Sequence, residues 1–334
     1  SVRMLLCAQE INLRMNILIV DRYSKEMASR LETELGCKTK WASSFQPSPA
    51  ELAGQDIVMI RSRTLVDEKF FKDAKDVKLI VSATAGFDHI KIKDIPANVN
   101  VVHTPEANTR SAAELTMMFL LALSRQYGVI TDTVRKKNWK DSIGPSRELA
   151  GQHLGLLGFG RVGQMVAQMA KPFGLHVAAF DPYQKEEAFK SLGVERLGLT
   201  ELFVQSDFLS LHVPLTKETH HIIRRSTIEL MPDHVNIINT SRGAVISECE
   251  LIQALEQGEV AAAALDVFET EPLAKDSNLF KLQNVIMTPH VGAYTEEALK
   301  AGSEMGFRRV QEFMTNQKCS FSIPPEAEWA RQLI

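Results

Sequence analysis

Three short segments carry an arginine, a carboxylate and a histidine: Asn239-Thr240-Ser241-Arg242-Gly243, Asp266-Val267-Phe268-Glu269-Thr270-Glu271-Pro272 and Thr288-Pro289-His290-Val291-Gly292. Each closes an apolar run that reads as a strand. A histidine oriented by a carboxylate moves protons near neutral pH, and an arginine beside it offers a fork of donors to the carboxylate of a 2-hydroxy or 2-keto acid. Hydride transfer at an alcohol carbon needs that set. His290 would take the hydroxyl proton, Glu271 would fix its tautomer and stabilise the imidazolium, and Arg242 would bind the carboxylate and the C2 oxygen. Taken singly, each has an ordinary explanation: a surface arginine, a member of the acidic cluster 269–271, one histidine among nine. Their spacing is too wide for local helix pairing, so only a fold that collects strand ends can unite them.

Upstream, Gly158-Phe159-Gly160-Arg161-Val162-Gly163 follows the apolar run 154–157 and opens a helical pattern through Val166, Met169 and Phe173. In that context Gly158 permits a tight turn, Gly160 lets a pyrophosphate approach the backbone, and Gly163 lets the helix lie close to the strand. The helix amino terminus adds free N–H groups and positive dipole. About 20 residues further on, Asp181 closes the next strand, where a carboxylate accepts ribose hydroxyls and repels a 2′-phosphate; NAD is therefore expected over NADP. The plain alternative is that Asp181-Pro182 starts a turn.

Strands and helices alternate along nearly the whole chain, the signature of parallel α/β architecture. Strands are expected at 16–20, 56–60, 78–82 and 99–102, with a weaker one at 39–41, and a helix at 25–35. At Ser111 a capping box, Ser111-Ala112-Ala113-Glu114, opens a helix running through Leu123, apolar on more than one face and hence expected to be buried between domains. The polar stretch 135–147 follows. A second series places strands at 153–157, 175–180, 207–211, 235–239, 261–265 and 285–287, with a further capping box at Ser247-Glu248-Cys249-Glu250. A last helix is expected at 296–314. The chain thus divides into two doubly wound parallel-sheet domains joined by two long helices.

At 334 residues there is room for two domains, and a net charge of −3 carries no nucleic-acid footprint. Cys7, Cys37, Cys249 and Cys319 show neither disulfide nor metal-ligand spacing, so no metal is expected and a reducing, cytoplasmic compartment fits. No apolar run suggests a membrane span or signal core, and residues 1–14 read as an upstream extension or a cloning remnant.

From Met15 to about Ile323 the sequence resembles the D-isomer-specific 2-hydroxyacid dehydrogenase family, on the glycine motif with Asp181, the block 239–243, Ala264-Leu265-Asp266-Val267-Phe268, Glu271-Pro272 and 288–292. The resemblance implies a Rossmann NAD-binding domain at 108–298 and a flavodoxin-like substrate domain at 15–107 completed by 299–326. It implies a homodimer through the NAD-binding domain. It supplies the roles of Arg242, Glu271 and His290 and a nicotinamide-carboxamide contact for Asp266. The cofactor-binding set is then Gly158, Gly160, Arg161, Val162, Gly163, Asp181, His212, Pro214, Thr240, Ser241, Arg242, Asp266, His290 and Gly292.

Within the family, Arg61-Ser62-Arg63-Thr64 and 108–115 look like the 3-phosphoglycerate branch, here a short form without a regulatory domain, active in serine biosynthesis. Ala83-Thr84-Ala85-Gly86-Phe87-Asp88-His89 and 292–295 look like the 4-phosphoerythronate branch, whose extra carboxyl-terminal dimerisation region does not fit in the remaining chain. Both handle phosphorylated acids, which makes Arg61, helped by Arg63, the expected phosphate ligand. Ala85 and Gly86 would offer N–H groups to the substrate carboxylate, and Asn108 would hold their loop. Two alternatives stay open: a reductase of glyoxylate, hydroxypyruvate or pyruvate, and an NAD-sensing scaffold or corepressor on the same fold, for which no basic run or long tail speaks.

Overall fold

The computed structural model describes residues 14–315, 319–325 and 330. Two parallel sheets organise them. The first contains β1 (Asn16–Ile19), β2 (Lys38–Trp41), β3 (Ile57–Ile60), β4 (Leu79–Ser82) and β5 (Asn100–His103) in the order β2-β1-β3-β4-β5. This is the flavodoxin order. Except at the β2 edge its strands are nearly continuous apolar runs, because helices cover both faces of a parallel sheet. The helix Glu296–Met314 contributes Phe307 and Val310 to the core with Ile17, Ile19, Met59 and Val81.

The second sheet contains β6 (His153–Leu157), β7 (His176–Phe180), β8 (Glu195–Arg196), β9 (Phe208–Leu211), β10 (Asn236–Asn239), β11 (Ala262–Leu265) and β12 (Val285–Met287) in the order β12-β11-β10-β9-β6-β7-β8. Numbered from β6, this is the Rossmann order with one more strand, and the order reverses between β6 and β9. Two apolar clusters fill its faces, one with Phe119, Phe159 and Phe208, the other with Leu209, Ile237 and Leu265. The two sheets belong to separate compact units, residues up to Ala107 with Glu296–Pro325, and Asn108–Thr295. Among the described residues no helix is long and apolar enough to cross a membrane.

Four local expectations need correction. The helix predicted to start at Ser111 spans Thr109–Ser124 with Asn108 as its N-cap, so no box forms at Ser111, whose Oγ instead lies 2.8 Å from Thr295 Oγ1. Nor is this helix buried on every face, since Met118 and Leu121 are exposed. Ser247 does cap the helix Glu248–Gln257 by position, yet its side chain makes no cap bond, and Glu250 accepts the Arg225 N–H at 2.8 Å instead. Capping boxes lose to such partners because each hydrogen bond contributes only about 1 kcal/mol. Finally, β8 was not anticipated; two residues, Glu195 and Arg196, leave no periodicity to read.

Candidate active site

Every segment of the opening motifs stands at the carboxyl edge of the seven-stranded sheet, where open α/β sheets bind ligands. Gly158 leaves β6, Asp181 leaves β7, His212 leaves β9, Thr240 to Arg242 leave β10, Asp266 leaves β11, and Thr288 to His290 leave β12.

The glycine turn separates into three different requirements. Gly158 has φ 96°, and a Cβ there would stand 2.5 Å from the His212 carbonyl oxygen; at Gly163 it would meet the Gly158 carbonyl oxygen at 2.3 Å. Those two glycines are demanded by the protein itself. Around Gly160, with φ −74°, nothing lies within 4 Å of the missing Cβ. No protein contact explains that glycine, whereas a pyrophosphate seated against the backbone at the start of the helix Arg161–Ala170 does. Arg161 and Val162 form the first turn of that helix. Asp181 accepts the N–H groups of Phe159 and Tyr183, each at 2.9 Å, which joins the carboxylate to the glycine turn. The Tyr183 hydroxyl donates to Glu218 at 2.7 Å. His212 lies 2.9 Å from Ser210 Oγ, and desolvation pushes its pKa down to about 3, so it is a neutral ring beside the turn, with Pro214 two residues on.

Glu271 and His290 meet as a pair, with Glu271 Oε2 2.7 Å from His290 Nδ1 and Glu271 Oε1 accepting the Phe268 N–H at 3.1 Å. The bond to Glu271 raises the His290 pKa above its ordinary value; desolvation and the Arg242 charge oppose the shift without cancelling it. Burial pushes Glu271 upward, but the bond to His290, its charge, the Phe268 N–H and the Arg242 charge together hold it below the usual carboxylate range. Arg242 is therefore electrostatically coupled to both members.

Buried groups hold these loops. Asn239, fully buried, accepts the Ser241 N–H at 3.0 Å and Ser241 Oγ–H at 2.8 Å, and donates to the Arg242 carbonyl at 2.8 Å. Arg242 Nη1 donates to the Ser241 carbonyl at 2.6 Å, and Thr240 Oγ1 lies 3.0 Å from Thr116 Oγ1. Thr240 and Ser241 thus turn their hydroxyls into the protein. Asp266, also buried, accepts Thr288 Oγ1–H at 2.5 Å and the N–H groups of Val291 and Gly292 at 2.8 Å each. Its carbonyl accepts the His290 N–H at 2.8 Å. His290 has φ 53°, a left-handed conformation costing about 1–3 kcal/mol in a non-glycine residue, and the Asp266 bonds hold it there. Asp266 Oδ1 takes two of these bonds and Oδ2 one.

Besides Arg242, the substrate candidates lie in the five-stranded unit, except Asn108, the N-cap whose carbonyl accepts the Ala112 N–H at 3.0 Å. Arg61 follows β3, donates to the Arg22 carbonyl at 3.0 Å and has no carboxylate partner among the described residues. Arg63 differs: Asp21 takes its guanidinium in a salt bridge, and it stacks 3.3 Å over the Phe45 ring. Its charge is neutralised locally. Ala85 and Gly86 follow β4, and their N–H groups donate to no acceptor among the described residues. The loop is held from behind, the Ala85 carbonyl lying 2.9 Å from His103 Nδ1 and Ser82 Oγ 2.9 Å from His89 Nε2. His103 and Ser82 escaped motif reading, and Asn239 was read only as part of its block, since a buried polar residue at a strand end has no sequence signature beyond its polarity.

Residues 117–292 match the model of the D-isomer specific 2-hydroxyacid dehydrogenase NAD binding domain. The chain belongs to that family. It is 40% identical over 264 residues to a D-3-phosphoglycerate dehydrogenase of Methanocaldococcus jannaschii, covering 78% of this chain and 50% of that one. It is 42% identical over 246 residues to a hydroxypyruvate reductase of Thermotoga maritima, covering 73% and 79%. Among solved structures, the D-lactate dehydrogenase of Aquifex aeolicus in complex with NAD and lactic acid superposes with a TM-score of 0.81 at 31% identity, covering 93% of this chain and 100% of that one. The chain spans about half the length of the Methanocaldococcus dehydrogenase.

Proposed function

We propose that the chain is an NAD-dependent oxidoreductase that interconverts a D-2-hydroxy acid and its 2-keto acid, with a phosphorylated acid, 3-phosphoglycerate and 3-phosphohydroxypyruvate, as the substrate pair. The 2.7 Å bond between Glu271 and His290, within reach of the Arg242 charge at the edge that carries the glycine turn, supports this reading most strongly. Bound NAD supplies the hydride acceptor. The turn 158–163 and the helix behind it would hold the pyrophosphate, and Asp181 would hold the ribose hydroxyls.

Glu271 is an acceptor, so the neutral His290 ring carries its proton on Nδ1 and presents the Nε2 lone pair to the substrate hydroxyl. Nε2 takes the hydroxyl proton as the C2–H bond breaks, and Glu271 stabilises the imidazolium that forms. In reverse, Nε2 returns the proton to the C2 oxygen. Arg242 binds the substrate carboxylate and that oxygen.

A pH dependence follows with a definite sign. The His290 pKa is raised, so the proton is held to higher pH. Oxidation requires Nε2 unprotonated, and its kcat/KM should rise with pH through a pKa above about 6.5. Reduction requires the proton and should fall through the same pKa. Glu271→Gln removes the leading cause and should move the inflection downward in stopped-flow profiles; an inflection that stays put would contradict the pair.

For the phosphate, Arg61 is the open cation and Arg63 is cancelled by Asp21. That cancellation favours a second reading, a reductase of unphosphorylated keto acids such as hydroxypyruvate or glyoxylate. A steady-state panel of 3-phosphohydroxypyruvate, the keto acid of 4-phosphoerythronate, hydroxypyruvate and glyoxylate separates the two. Arg61→Ala should cost at least tenfold in kcat/KM for the phosphorylated acid alone; an equal loss on hydroxypyruvate would move the assignment to the second reading.

A homodimer through the NAD-binding domain completes the proposal. The helix Tyr127–Arg135 has no buried residue, and Tyr127 (58% exposed), Val134 (58%) and Trp139 (69%) lie in one stretch of chain. Apolar residues so concentrated mark a protein contact. Light scattering should give twice the chain mass of 37.3 kDa, and Trp139→Glu should shift it toward one.

A further inference from the structure

Glu269 lies two residues before Glu271 in the same acidic cluster and pairs with a different histidine. Its Oε1 is 2.7 Å from His221 Nε2, and its Oε2 accepts the Glu248 N–H at 3.1 Å while Glu248 Oε2 accepts the Glu269 N–H at 3.2 Å. The reciprocal bonds join the loop after β11 to the start of the helix Glu248–Gln257. His221 reaches the same segment through its backbone, donating to the Ala244 carbonyl at 2.9 Å; Ile223 N–H donates to Val245 at 3.1 Å and Ser247 N–H to Ile223 at 2.8 Å. On the other side a Cβ on Gly243 would lie 1.8 Å from the Phe268 carbonyl oxygen, so backbone packs on backbone there.

The segment 242–247 is therefore the middle layer of three. Residues 221–223 form one outer layer and 268–269 the other, and the His221 side chain is a direct tie between the outer two. His221 also holds φ 49°, left-handed in a residue that is not glycine, and its ring stacks on His220 at 3.9 Å between centroids. A strained backbone kept in place by contacts on two sides marks a constrained position. Burial raises the Glu248 pKa, the bond from the Glu269 N–H opposes that shift, and the nearby Glu269 charge adds to it.

We propose that His221 and Glu269 form a clasp that positions the Arg242 loop for binding the substrate carboxylate, so that the two glutamates of one short loop orient the proton carrier and the anion anchor respectively. This rests on the assignment of Arg242 as that anchor. His221 is a positioning residue: it touches neither the cofactor turn nor His290 in any contact described, and it acts through Ala244 and Glu269.

The test uses the full chain saturated with NADH, and oxalate, a planar dicarboxylate, as the probe. Oxalate affinity is read from NADH fluorescence, NADH affinity from direct titration, and folding from thermal melting. His221→Ala and Glu269→Ala should each weaken oxalate binding at least tenfold with NADH affinity within twofold. The double variant should be no weaker than the worse single one, because both break one tie. Wild-type oxalate affinity in both variants overturns the clasp. So does a parallel loss of oxalate affinity, NADH affinity and cooperative melting, which describes general destabilisation. Arg242→Ala separates the clasp from its premise: if that variant binds oxalate like wild type, the anchor assignment falls and the clasp with it; if it loses oxalate while His221→Ala does not, only the clasp falls.

Discussion

Arg242→Ala should lower kcat/KM for the preferred acid by about 10²–10⁴-fold while leaving NADH affinity nearly unchanged. Two hydrogen bonds to a charged group contribute about 1.5–3 kcal/mol each, and 1.4 kcal/mol corresponds to a factor of ten. The loss should fall on both kcat and KM. The carboxylate bond is made in the ground state and raises KM when lost, whereas the bond to the C2 oxygen strengthens as charge develops there and governs kcat. Lysine at the same position restores the charge but not the planar fork, and should recover only a small part of the loss. Asn239 and Gly243 shape the loop without depending on the guanidinium, so the variant should remain folded. Initial rates over a matrix of acid and NADH concentrations decide it. A variant with wild-type KM and kcat would remove Arg242 from the site.

His290→Asn should be the second large effect, a fall in kcat of roughly 10²–10⁴-fold, the usual contribution of a placed general acid–base. Asparagine tolerates the left-handed backbone that φ 53° imposes, so the loop held by Asp266 keeps its course and NADH binding should persist. An amide does not titrate in this range. The remaining rate should accordingly lose the inflection expected above about 6.5 in the wild type. If chemistry limits turnover, the reduced rate also carries a primary isotope effect from deuterated NADH. A variant that keeps both its rate and its inflection would leave the proton to another group.

The two experiments probe different parts of one sheet edge, and their outcomes are separable. Loss in Arg242→Ala with little in His290→Asn would keep the anion anchor and assign the proton to another group. Loss in both is the behaviour of a dehydrogenase. The surface charge of the Glu271 and His290 pair adds little to folding stability, because both side chains are partly exposed and solvent screens them.

Much of this site was legible in the chain. Short apolar runs ending in Asn239, Leu265 and Met287 announce strands, and in a parallel sheet the residues that follow share one edge; Arg242, Asp266 and His290 therefore converge for topological reasons that a sequence reader can apply. Gly158 and Gly163 were legible because their constraints are local, a turn and a strand-to-helix approach. The acidic cluster 269–271 was not. Sequence shows two like carboxylates, and only the tertiary structure divides them, because which histidine each one meets depends on loops brought together from residues 221, 244 and 290.

The same division runs through the basic residues. Arg61 and Arg63 look alike in the chain, yet Asp21, far upstream, pairs with Arg63, while Arg61 is half-buried and donates to the Arg22 carbonyl. Short-range signals failed where competing partners were remote: Ser111 faces Thr295, and Glu250 turns to Arg225 instead of capping its own helix. The architecture, the cofactor turn and the reaction chemistry were readable in the chain, since these depend on residue type, periodicity and the order of strands. The pairing of charges emerged only on folding, because electrostatic and hydrogen-bond partners are chosen by distances of a few ångströms between segments that the chain order does not place together.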